Sequence, residues 1–213
     1  MQENKTLHAS GTIDGEGLHT IRRLRDLRVI VETELEDQSD QLLSELRRLQ
    51  VNPRLINRKS HTLPSDGEVI FCDYAPDLAR RLPWPPGEAT AALIVMVPTH
   101  GAFSSSALEA ATPNAVLARP FTANAVEANL IIGFSQFRYE RRMRSKAEKL
   151  EETISAMRMI ERAKSIVMNT RSVNGEDAYQ YIRSQAMARR QSVSGIAEAI
   201  VSSFDLLGAL PLS

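Results

Sequence analysis

The apolar positions of this chain change rhythm along its length. Between residues 28 and 118 they come in five short runs: Arg28–Val31, Arg54–Ile56, Glu68–Cys72, Leu93–Val97 and Ala115–Ala118. Runs of this length bounded by polar residues predict buried strands. Leu42, Leu43, Leu46 and Leu49 recur at helical spacing within Ser39–Gln50. Strands separated by helix or loop segments imply βα units and a parallel sheet. The segment Leu82-Pro83-Trp84-Pro85-Pro86-Gly87 interrupts the alternation, because proline fixes φ and lacks a donor. The third crossover is therefore expected to be mostly loop. Packing is the simpler role for Trp84, and a partner contact is the alternative.

Asn124 opens a longer pattern, with no proline and one glycine, Gly133, until the polar break Asn169–Gly175. That exceeds a typical globular helix. Leu130, Phe134 and Phe137 share one stripe, and Ala147, Leu150, Ile154 and Met157 share another, with Arg141 and Arg144 between them. The pattern predicts a long helix over 126–157 that pairs with a second helix through Leu150, Ile154 and Met157. The alternative is one long helix packed on its own domain. Three short amphipathic stretches follow, with Ala163, Val167, Ala178, Ile182, Ala186, Ile196, Ile200 and Phe204 as expected core. Asn174 and Ser192 are expected N-caps. Residues 1–25 are polar and glycine-bearing, and are expected to be mobile, with a short helix at His19–Arg25.

Composition narrows the class. The 213 residues suggest one or two domains, and 43% hydrophobic with 24% charged content is ordinary for a globular protein. A net charge of zero argues against non-specific coating of nucleic acid but leaves room for a local basic face. Cys72 has no second cysteine to pair with, which points to a cytoplasmic location. His8, His19, His61 and His100 lack metal-ligand spacing, so neither a metal nor a cofactor is expected. No apolar run approaches the roughly 20 residues that span a bilayer.

Candidate chemistry gathers at the strand ends. Glu32 and Thr33 follow the first strand, Asp73 the third, Pro98-Thr99 the fourth, and Arg119-Pro120-Phe121 the fifth. This layout resembles a response-regulator receiver, a doubly wound five-stranded α/β domain, here over residues 26–125. The resemblance implies an acidic pair for Mg²⁺, an aspartate acceptor, a hydroxyl residue and a Lys-Pro-Phe ending. Here Thr33 stands in the acidic pair, Thr99 is offset by one residue, and Arg119 replaces lysine. Arginine bonds through a planar fork and is no simple substitute. Glu32, Thr33, Asp73, Thr99 and Arg119 thus form a degenerate phosphoacceptor pocket, expected not to respond to phosphate.

The last quarter runs through Ile160–Met168, Glu176–Tyr179, Arg183–Ala186, Arg189–Ser192 and Ile196–Val201. Their order and wording resemble the ANTAR domain, a three-helix RNA-binding module of bacterial antiterminators, placed here at 158–213. With the receiver-like part and the long coiled-coil helix, the chain resembles the AmiR/NasT family of transcription antiterminators. The resemblance implies a non-enzymatic regulator that binds hairpins in leader mRNA. It also implies a homodimer, and a ligand-sensing repressor partner of the periplasmic-binding type. Small amides, urea, nitrate or nitrite are the implied inducers.

The candidate RNA-contacting residues are Lys164, Arg171, Arg183, Gln185, Arg189 and Arg190, with Tyr179 and Tyr181 available to stack on loop bases. The run Arg138–Lys146 is either a further phosphate contact or a solvated helical stretch. Two other functions remain open: a phosphorylation-dependent response regulator, and a dimeric scaffold that binds only protein.

Overall fold

The computed structural model describes residues 26–34, 36–57, 61–99 and 104–208. The segment 1–25, with the helix expected at His19–Arg25, lies outside the described residues. The chain divides into two units, Met1–Arg141 and Arg142–Ser213.

The first unit is built on five parallel strands: β1 (Val29–Glu32), β2 (Arg54–Ile56), β3 (Val69–Asp73), β4 (Ala92–Val97) and β5 (Ala115–Ala118). They lie in the order β2-β1-β3-β4-β5, the doubly wound arrangement of flavodoxin-like sheets. All five expected strands are present, within a residue or so of their expected bounds.

Because side chains alternate across a strand, β1, β3 and β4 each feed two cores. Val29, Val31, Val69, Phe71, Ile94, Met96 and Leu117 meet Leu42, Leu43 and Leu46 of α1 (Glu36–Arg48) on one face. Val126, Leu130 and Phe137 of α4 (Ala123–Arg171) complete that layer. On the other face Ile30, Ile70, Cys72, Leu93, Val95 and Val97 meet Leu63, Leu78 and Trp84. Trp84 is thus a core residue. The third crossover carries only the four-residue α2 (Leu78–Arg81), as the proline-rich segment requires. α3 (Ser105–Ala111) is capped by Ser104, whose hydroxyl accepts from the Ala107 N–H at 3.3 Å.

Gly133 lets α4 approach the sheet. A Cβ there would sit 3.2 Å from Ile94 Cγ1 and 3.3 Å from the Ala115 Cβ. The Leu130–Phe137 stripe is therefore spent on the chain's own sheet. Leu150, Ile154 and Met157 remain exposed.

The second unit comprises the end of α4, α5 (Gly175–Arg189) and α6 (Val193–Gly208). Both expected caps form. Asn174 accepts from the Asp177 N–H at 2.9 Å, and Ser192 Oγ accepts from the Gly195 N–H at 3.0 Å. Ala163, Val167, Ala178, Ile182, Ala186 and Ile196 are buried as expected. One part of the core differs. Ala197 and Val201 are buried, Ile200 is partly buried, and Phe204 is 48% exposed. The buried stripe of α6 lies one position further along than the larger side chains suggest, because small residues permit the closest helix approach.

Candidate functional site

The first candidate site lies at the carboxyl ends of the strands, where open α/β sheets bind ligands. The ends of β1, β3 and β5 bring Thr33, Asp73 and Arg119 together. Arg119 Nη2 donates to Asp73 Oδ1 at 2.5 Å. The Thr33 hydroxyl donates to Asp73 Oδ2 at 2.7 Å, and the Glu34 N–H to the same oxygen at 3.1 Å. Both carboxylate oxygens are therefore engaged, one by a charge-assisted bond. The Arg119 guanidinium also lies over the Phe121 ring, 4.8 Å from its centroid, and the Arg119–Pro120 peptide bond is cis. Thr99 donates its hydroxyl proton to the Arg119 carbonyl at 2.8 Å, so it ties down the end of β5.

Glu32 accepts from Arg81 Nη2 at 2.5 Å, with the two side chains only 2% and 5% exposed. Sequence reasoning missed Arg81. It ends a four-residue helix ahead of Leu82-Pro83, and its neighbours give no hint of a buried role. The one usable signal was indirect: a carboxylate buried at a strand end needs a cation. Two carboxylates thus meet two guanidiniums. A hard cation such as Mg²⁺ prefers anionic oxygen ligands, and here each carboxylate faces an arginine. Among the described residues no group of three or more His, Cys, Asp or Glu could hold a metal ion.

The second candidate site is the surface of the three-helix unit. The six candidate residues do not form one face. Tyr181, Gln185 and Arg189 follow each other at four-residue spacing on α5 and share one flank. Arg171 joins them, lying 3.9 Å from the Tyr181 ring centroid and donating to its hydroxyl at 3.0 Å. One face of Tyr181 is already covered by this guanidinium. Arg183 and Arg190 fall on the opposite flank of α5. Arg190 is the C-cap, with φ of 55° and its N–H bonded back to Ala186 and Met187. Lys164 is half-buried and paired with Glu161 at 2.9 Å, so it is less available than its charge suggests. Tyr179 is half-buried as well.

A cavity of about 340 Å³ opens beside the Tyr181 flank. Ile166, Ile200 and Phe204 supply its apolar walls, and Gln185, Arg189 and Ser203 its polar ones. The run Arg138–Lys146 lies within α4 and is largely exposed, with Arg138 over the Phe134 ring at 5.8 Å.

Comparison with known proteins gives the class. Residues 148–201 match the ANTAR domain. The chain therefore joins an ANTAR domain, an RNA-binding module, to a receiver-like domain. No curated protein sequence matches the chain. Among solved structures it is similar to the response regulator StyR, at 11% identity over 83% of this chain and 98% of that one, with a TM-score of 0.48. Full-length FixJ from B. japonicum aligns at 12% identity over 83% and 96%, with a TM-score of 0.39. A response regulator from Burkholderia pseudomallei aligns at 17% over 81% and 98%, with a TM-score of 0.38. At such values the receiver-like assignment rests on the strand order and connections of this chain. No helix among the described residues is long and apolar enough to cross a membrane.

Proposed function

We propose that this protein is a cytoplasmic transcription antitermination regulator that binds hairpins in leader mRNA and is not switched by phosphate. The observation that carries this reading is the Asp73 carboxylate, held by Arg119 on one oxygen and by Thr33 and Glu34 on the other. A phosphoryl group adds about two negative charges at neutral pH and needs a cation beside it. Here the paired Glu32 is committed to Arg81, and the acceptor is already neutralised. Control passes instead to a partner, a ligand-sensing protein of the periplasmic-binding type that grips the receiver-like domain. The RNA-binding form is a homodimer joined through Leu150, Ile154 and Met157. The ANTAR match and the cationic side chains of the three-helix unit support the RNA half of this reading.

A phosphorylation-dependent response regulator is the second reading, favoured by one observation: Asp73 ends β3, where a phosphoacceptor belongs.

RNA binding is tested by gel shift with a double-hairpin leader RNA. Alanine at Arg171, Gln185 and Arg189 should weaken binding broadly and lower the salt slope by about one unit for each phosphate contact removed. Alanine at Arg183 and Arg190 tests the other flank. Unchanged affinity in both sets would remove these residues from the RNA interface.

A further inference from the structure

Phe204 is a large aromatic side chain left half in solvent at the wall of the cavity between α4, α5 and α6. It lies beyond the segment that matches the ANTAR domain, which ends at residue 201. The polar side of the same cavity carries Gln185 and Arg189, and the Arg171–Tyr181 stack borders it through Tyr181. An apolar slot with one aromatic wall, one amide and one guanidinium suits a planar heterocycle attached to a phosphodiester. An aliphatic side chain would leave the amide and the guanidinium unused.

We infer that this cavity receives one unpaired nucleobase from the loop of the bound hairpin, stacked on Phe204. Gln185 faces the hydrogen-bonding edge of the base, and Arg189 meets its phosphate. This inference rests on the RNA-binding reading above and makes Phe204 a specificity-determining position. Single-stranded loops are recognised in this way, by splayed bases laid on aromatic side chains and read along their edges. The three-helix unit is not strongly basic, so a stacked base supplies affinity that phosphate contacts alone would not.

The test uses the full-length chain. A fixed-stem hairpin RNA with a randomised loop is selected against the wild type, and 2-aminopurine is placed at each loop position of the best binder. One position should change its emission on binding. Phe204→Ala should abolish that change and weaken affinity about 5- to 150-fold, the range for losing one base–aromatic stack. Phe204→Trp should restore both. An abasic nucleotide at that position should weaken the wild type equally and cost Phe204→Ala nothing further. A thermal melt checks that Phe204→Ala remains folded.

Equal affinity of Phe204→Ala and wild type for every hairpin would overturn the inference and leave RNA binding intact. Additive losses from the variant and the abasic site would overturn it too. A changed sedimentation coefficient with unchanged RNA affinity would assign the cavity to a protein contact instead. Failure of the wild type to select any hairpin would remove the RNA-binding reading itself, and the inference with it.

Discussion

Arg119 and Asp73 are bound to each other, Nη2 to Oδ1 at 2.5 Å, with side chains 6% and 15% exposed. In a phosphoacceptor pocket a cation meets the incoming phosphoryl oxygens. Here the strand-end carboxylate already holds it. Arg81 does the same for Glu32, so the pocket is neutralised by its own chain.

The Glu32–Arg81 pair makes the first prediction. Removing one partner of a buried pair leaves an uncompensated charge and costs about 3–5 kcal/mol. Arg81→Ala should lower the urea midpoint of the receiver-like unit accordingly. Replacing both residues together, as Glu32→Leu with Arg81→Met, should recover most of that loss. A double variant no more stable than Arg81→Ala would show that shape, rather than charge, dominates there.

Arg190 separates a structural role from a functional one. It holds a left-handed φ of 55° at the C-cap of α5, a conformation glycine adopts without a Cβ penalty. Arg190→Gly should therefore raise the stability of the three-helix unit by about 0.5–1 kcal/mol in denaturant titration. If Arg190 contacts RNA, the same variant binds leader RNA more weakly. Gains in both stability and affinity would exclude Arg190 from the interface.

The proposed homodimer would be joined through the exposed seam of α4. Leu150 and Met157 are each 61% exposed, and burying such side chains contributes roughly 1.5–3 kcal/mol apiece. Leu150→Asp with Ile154→Asp should sediment as monomer at concentrations where the wild type is a dimer. A monomeric wild type at micromolar concentration would refute the helix pairing.

The strands were legible because each is a short apolar run between breakers. The caps at Asn174 and Ser192 were legible because capping is local chemistry. Asp73 and Arg119 could be placed at strand ends, but their bond could not be read: 46 residues separate them, and only the closed sheet brings them together. Arg81 was invisible for the same reason, 49 residues from Glu32. The stripe of α6 was only partly legible. Phe204 was expected inside with Ile196 and Ile200, whereas close helix packing selects Ala197 and Val201. The six RNA candidates were chosen as the polar remainder outside the small core, without regard to helical phase. That is why Arg183 and Arg190 fall on a different flank from Gln185 and Arg189.

The most direct test of the proposed independence from phosphate is incubation of the full-length protein with acetyl phosphate and Mg²⁺, followed by intact-mass analysis and titration of leader RNA on the same sample. The expected result is no mass gain at Asp73 and an unchanged RNA affinity. A stoichiometric phosphoryl adduct, absent in Asp73→Asn and accompanied by a change in RNA affinity, would contradict it and establish phosphorylation as the switch.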